Sequence, residues 1–121
     1  MKLVLALILS VTAITAQAET RVANKPHSTP MFLVSKGVSQ LGNPVGVFRV
    51  QWKDGTSSFT TFEAKCNTLT GKVVSTGEGS ASNMNPSPAV PNSDSQGFYR
   101  LVGAGGQGSF DYNRYQSLCG A

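Results

Sequence analysis

From Val45 to Trp52 the chain reads VGVFRVQW, and apolar and polar positions alternate. Phe48, Val50 and Trp52 share one parity, while Arg49 and Gln51 share the other. A period of two is the signature of a half-buried antiparallel strand, with the first set turned to a core. Upstream, MFLVSKGV also has strand composition, starting at Met31 and ending near Gly37. The turn cluster SQLGNP separates the two runs.

After Trp52, KDGT must reverse the chain, and the apolar pattern decides how. A two-residue loop, Asp54-Gly55, pairs Val50 with Phe59 and turns Phe62, Ala64 and Cys66 toward solvent. A three-residue loop, Lys53-Asp54-Gly55, pairs Trp52 with Thr56, Val50 with Ser58 and Phe48 with Thr60. It places Phe62, Ala64 and Cys66 on the inner face with Trp52. A one-residue slip moves the whole apolar set, so the three-residue loop is preferred, with Gly55 in the left-handed position. The choice leaves Phe59 outside.

A third strand is expected around Lys72–Thr76 and a fourth over Phe98–Val102. Between them, residues 80–96 contain three prolines, many Ser and Asn and few large apolar groups. Such a stretch cannot bury enough surface to offset its ordering entropy, so it reads as a long mobile loop. The last element is a helix beginning at the N-cap Ser109. Asp111 lies in its first turn, where the helix dipole favours negative charge. Tyr112, Tyr115 and Cys119 form a stripe with Leu118 beside it, and Gly120 suits the C-terminal cap. The fold class is α+β: a small antiparallel sheet of about four strands with a packed C-terminal helix.

The start of the chain sets the compartment. Lys2 precedes an apolar run, Leu3 to Val11, and Ala16-Gln17-Ala18 follows as a small-residue cleavage site. Residues 1–18 therefore read as a secretory signal peptide. The apolar run is far short of the about 20 residues a membrane span needs. The expected mature chain begins at Glu19. Residues 19–30 read as a flexible polar lead-in, and residues 31–121 as a single domain. Localisation is expected to be exported: periplasmic, secreted or on the cell surface.

Charge excludes one class of partner. Without Lys2, nine Lys and Arg face six Asp and Glu, and the basic residues are scattered singly. A nucleic-acid site needs a clustered basic footprint, so no nucleic-acid partner is expected. Both cysteines lie in the expected mature chain. In an oxidising compartment Cys66 and Cys119 are expected to pair, since two cysteines allow only one intramolecular bond. Cys66 falls on the inner strand face and Cys119 on the buried helix stripe, so the bond would tie helix to sheet. Domains of this size often need such a staple.

Chemistry is thinly supplied. Gly103, Gly105 and Gly108 spell the dinucleotide-binding fingerprint. The second parallel strand and the acidic residue about 20 positions on have no room in the thirteen residues that follow Gly108. These glycines read as a tight link into the helix, and no cofactor is expected. The single histidine, His27, lies in the Pro-rich lead-in, so neither a zinc site nor a nucleophile–base pair is expected. The acids Asp54, Glu63, Glu78, Asp94 and Asp111 sit on different elements. Among the aromatic residues Phe59 and Tyr99 are the candidates for an exposed binding surface.

The strand ending in FEAKC, the run TLTGKVV, a variable loop, a last strand, a Ser-capped helix and a terminal SLCG resemble the surface-adhesin protein E family of small exported bacterial proteins. FLVSKGV is similar to that family's first strand. The resemblance covers roughly residues 31–121. This chain lacks the N-terminal lipobox cysteine of some members and approaches the helix through a Gly-rich segment. The resemblance implies a small antiparallel sheet with a packed helix, and binding to host or matrix proteins. The expected function is a non-enzymatic binding protein of the cell envelope, with an unknown protein or an envelope or matrix component as partner. The alternatives are a periplasmic hydrolase inhibitor presenting residues 80–96, and a small secreted hydrolase.

Overall fold

The structure is a computed structural model that describes residues 18–101 and 109–120. One antiparallel sheet dominates. Its strands are β1 (Thr20–Val22), β2 (Met31–Val38), β3 (Pro44–Gln51), β4 (Ser57–Lys65), β5 (Thr70–Glu78), β6 (Met84–Pro86) and β7 (Tyr99–Arg100). The first six pair in chain order, as a meander. β7 joins the free edge of β5 at Thr70 and Gly71, beyond the stretch where β6 pairs with Ser75–Gly77. The helix α1 (Ser109–Cys119) packs across β3, β4 and β5. No helix among the described residues is long and apolar enough to cross a membrane.

The β3–β4 hairpin has the three-residue register. Val50 pairs with Ser58 and Phe48 with Thr60. Trp52 N donates to Thr56 O at 2.9 Å, Gly55 N donates to Trp52 O at 3.0 Å, and Gly55 has φ +89°. Asp54 fastens the turn by accepting from Thr56 Oγ1 at 2.6 Å and Thr56 N at 3.0 Å. The Thr56 hydroxyl, then its N–H, holds the Asp54 carboxyl below its usual range.

This register carries Met31, Phe48, Val50, Phe62 and Ala64 to the inner face, where they pack with Leu101, Tyr115 and Leu118. Phe48 and Phe62 are fully buried. Burial of side chains of this size stabilises the fold by about 1.5–3 kcal/mol each. The close approach of β4 and β5 depends on Gly71. A Cβ there would strike the Phe62 ring and lie 2.9 Å from the Glu63 carbonyl.

The disulfide Cys66–Cys119 joins the end of β4 to the last turn of α1, with Cα atoms 5.4 Å apart. Tyr115 reinforces the same junction. Its hydroxyl donates to Cys66 O and accepts from Leu69 N at 3.2 Å.

Several expectations need correction. The sheet has seven strands among the described residues, where about four were expected. Residues 19–30 contain β1, paired with β2 through Thr20–Leu33 and Val22–Met31, and Asn24 is buried. The lead-in is polar because its anchors are polar: Asn113 Nδ2 donates to Asn24 Oδ1 at 3.0 Å and to Lys25 O at 2.9 Å. Residues 80–96 contain β6, an edge strand where Pro86 is tolerated because no further strand needs its missing N–H. The loop after β6 is pinned at its far end. Asp94 accepts from Gln96 N at 2.8 Å and Phe98 N at 3.0 Å, and Lys72 donates to Gln96 O at 2.9 Å. Phe98 is buried beneath the ammonium groups of Lys65 and Lys72.

Phe59 and Trp52 exchange their expected places. Phe59 does lie on the face opposite the core, between Arg49 and Gly77 in the register. It is nevertheless only 8% exposed, and its register partner Gly77 is approached closely by Asn83 and Met84. Trp52 has core parity but lies one residue past the end of β3 and is 40% exposed. An indole N–H needs a partner, and Trp52 Nε1 finds Ser58 Oγ at 2.7 Å at the margin of the sheet.

Candidate functional site

The site grows from the hairpin end of the sheet. There β3 and β4 run past the first turn of α1 and leave a hollow of about 530 Å³. This lies within the about 300–1,000 Å³ typical of small-molecule sites. Trp52, Ser58, Glu78, Phe110, Asp111 and Arg114 line it. Trp52 also lines a second hollow of about 490 Å³, with Ser28, Thr29, Pro30, Gln51 and Lys53. The indole therefore borders both spaces.

The aromatic wall is fixed in place. Phe110 lies 6.2 Å from the Trp52 ring, nearly parallel to it at 23°, and its ring is also 4.3 Å from that of His27, tilted by 54°. Ser58 Oγ accepts from the Trp52 indole and faces the Glu78 carboxylate at 3.3 Å from both oxygens. The chain Trp52–Ser58–Glu78 sets the indole orientation before any ligand arrives.

The polar wall belongs to α1. Arg114 Nη1 donates to Asp111 Oδ1 at 2.5 Å, and Tyr99 donates its hydroxyl to Asp111 Oδ2. Burial, then the adjacent Asp111 charge, pushes the Tyr99 hydroxyl well above its usual range, so it stays a donor. Arg114 is only 8% exposed. Its Nε is buried without a hydrogen-bond partner, and the bond to Asp111 is the one its guanidinium makes among the described residues. A guanidinium carries five N–H donors in a fork, so this one is under-used.

The two residues expected to form an exposed surface do not do so. Phe59 borders the larger hollow but is nearly buried, and Tyr99 is half-buried with its hydroxyl committed to Asp111. Instead, the structure brings together Trp52, which the alternation assigned to the core, and Arg114, which looked like a scattered surface charge. The helix pattern gave one usable signal. Asp111 and Arg114 are three residues apart and so share a face. Gly103, Gly105 and Gly108 lie outside the described residues. No three His, Cys, Asp or Glu side chains converge as a metal-ligand cluster among the described residues. Of the five acids, the fold brings Glu78 and Asp111 to the same hollow, while the other three stay apart: Asp54 serves the hairpin, Asp94 the loop before β7, and Glu63 accepts from Ser39 Oγ at 2.6 Å and Asn43 Nδ2 at 3.0 Å. No protein-family model, curated protein or solved structure matches this chain.

Proposed function

We propose that the chain is an exported, non-enzymatic binding protein of the bacterial envelope, of the adhesin-E-like kind, and that it binds its partner at the cleft around Trp52. The leader-like residues 1–18 support export, and a disulfide fits an oxidising compartment. The sheet with a helix stapled by Cys66–Cys119 is the architecture that the resemblance implies. The observation that carries the binding reading is the preorganised Trp52–Phe110 pair with the nearly buried Arg114 guanidinium 5.8 Å from the Phe110 ring, inside a concave surface. Few polar groups on an apolar wall is the usual makeup of a recognition site.

Capture by mature, oxidised protein from envelope and host-matrix fractions tests the reading. Capture lost in Trp52→Ala supports it, and capture that is absent or indifferent to Trp52→Ala sinks it. A hydrolase-inhibitor reading has one observation in its favour. Asp94 and Phe98 anchor one end of an otherwise exposed segment that carries Pro88, Val90 and Pro91. Inhibition of a periplasmic hydrolase panel, abolished by replacing residues 88–91, would favour it.

A further inference from the structure

We propose that the two hollows bordered by Trp52 form one groove for a neutral oligosaccharide, with the indole as the platform between successive sugar rings. This rests on the reading of the cleft as a binding site and names what it binds. Three observations carry it.

The first is the complement of polar groups. Glu78 and Asp111 are carboxylates that accept hydrogen bonds, and each has acceptor sites to spare. An ionised carboxylate offers about four lone-pair positions, and Asp111 uses one for Arg114 and one for Tyr99. Arg114 is a pure donor whose nearly buried guanidinium makes a single hydrogen bond among the described residues. The occupant must therefore both donate and accept within a few ångströms. Adjacent sugar hydroxyls do both, and they suit the paired geometry of carboxylates and guanidinium.

The second is charge. Arg114 is neutralised by Asp111, leaving Glu78 in the larger hollow and Lys53 in the smaller one. These two single charges, opposite in sign, balance across the groove as a whole, and neither hollow gathers the cluster of like charges that would recognise an ion. A neutral, hydroxyl-rich molecule fits this balance. An extended peptide fits it less well, because its successive amides and side chains point to alternate sides and one wall reads only half of them.

The third is the layout. A flat, partly exposed indole, held by Ser58 and stacked on Phe110, offers a face to the C–H side of a sugar ring. Two hollows that share the Trp52 side chain as a wall suit a chain of rings. The second hollow is lined by Ser28, Thr29 and Gln51, residue types whose hydroxyls and amide can donate to and accept from a polyol.

Trp52 is the sequence's only tryptophan, so its emission reports this groove alone. The test titrates mature, oxidised protein with mono- to tetrasaccharides of β-1,4-linked glucose, β-1,4-linked N-acetylglucosamine and α-1,4-linked glucose, and with a neutral proline-rich peptide. The expected result is a saturable emission change with at least one neutral saccharide series, the tetramer binding at least tenfold tighter than the monomer. By calorimetry, Trp52→Ala and Glu78→Ala should each weaken the tetramer at least tenfold. Arg114→Lys, which keeps a cation for Asp111 but loses the fork, should weaken it as well. Glu78 is exposed, so its variant is expected to fold even if an Arg114 variant does not. Saturable binding of the peptide alone, or of no probe, overturns the proposal, as does tetramer binding indifferent to both Trp52→Ala and Glu78→Ala. Envelope capture that needs Trp52 while every saccharide fails would overturn the ligand class and leave the binding reading standing.

Discussion

Asn113, on the C-terminal helix, donates to Asn24, 89 positions earlier in the chain, at 3.0 Å. Both side chains are buried, and each has a further bond: Asn113 to Lys25 O, Asn24 Nδ2 to Thr29 O at 2.9 Å. The pair clamps the segment after β1 onto α1. The same segment supplies His27, which packs against Phe110 beside the cleft. The clamp therefore links the N-terminal strand to the site.

Asn113→Ala leaves Asn24 Oδ1 and Lys25 O without their donor. Stranding buried polar groups costs about 1–3 kcal/mol. Urea unfolding of the mature protein should show a loss of that size. Amides of β1 should exchange faster, with β3 and β4 changed only in proportion to global stability. A neutral substitution would mean that the N-terminal segment contributes nothing to the fold.

The disulfide encloses a sequence separation of 53. In the chain-entropy treatment a loop of this length stabilises the fold by about 4 kcal/mol. Reduction should lower stability by about that amount. It should also free α1 first, because an 11-residue helix is marginal in water without tertiary contacts. Exchange at α1 amides should outrun exchange at β3 and β4 amides in the reduced protein. Equal acceleration everywhere would show that the bond only raises global stability.

The parts of the fold carried by alternating apolar residues were legible. Phe48, Val50, Phe62 and Ala64 determined the hairpin register, and Tyr115 and Leu118 with Cys119 determined how the helix packs. The parts held by polar groups were not. β1 is anchored through Asn24, β6 pairs through Asn85 and Pro86, and the loop before β7 is tied by Asp94. None of these leaves a periodic trace. The cleft was illegible for a related reason. Parity says which face Trp52 takes, but not that it lies one residue past the end of β3, where 40% of it stays exposed.

Phe59→Ala separates the two views of that residue. As a surface contact its loss would hardly affect stability. Its near-complete burial instead puts it with core phenylalanines, whose truncation costs about 3–5 kcal/mol. Thermal and urea unfolding of the variant should show a loss within that range.

Gly71→Ala tests the β4–β5 contact. The added Cβ meets the Phe62 ring and the Glu63 carbonyl, and neither sits at the end of a flexible side chain. Overpacking of this kind costs about 1–3 kcal/mol. The loss should shrink in Gly71→Ala combined with Phe62→Leu, because the smaller side chain removes the first clash. Full additivity of the two changes would place the strain elsewhere.

Asp94 gives the fold a local acid sensitivity. Its carboxylate accepts from Phe98 N and Gln96 N, and these bonds, Phe98 first, hold its pKa below the usual carboxylate value. Lys65, 3.8 Å away, adds attraction of the same sign. A group whose folded pKa is depressed contributes stability that is fully present above its unfolded pKa, about 3.9. That contribution disappears as pH falls through the lower, folded value. Between pH 7 and pH 5 the 94–98 turn should therefore keep constant protection. Below about pH 4 the Gln96 and Phe98 amides should exchange progressively faster, beyond the change in β3. Asp94→Asn keeps an acceptor oxygen but cannot titrate, so it should start with weaker protection and lose the acid-dependent step. An acid step of the same size in the variant would assign it to another carboxylate. Asp54, held low by Thr56, would be the first to replace, and its loss should loosen the 52–56 turn instead.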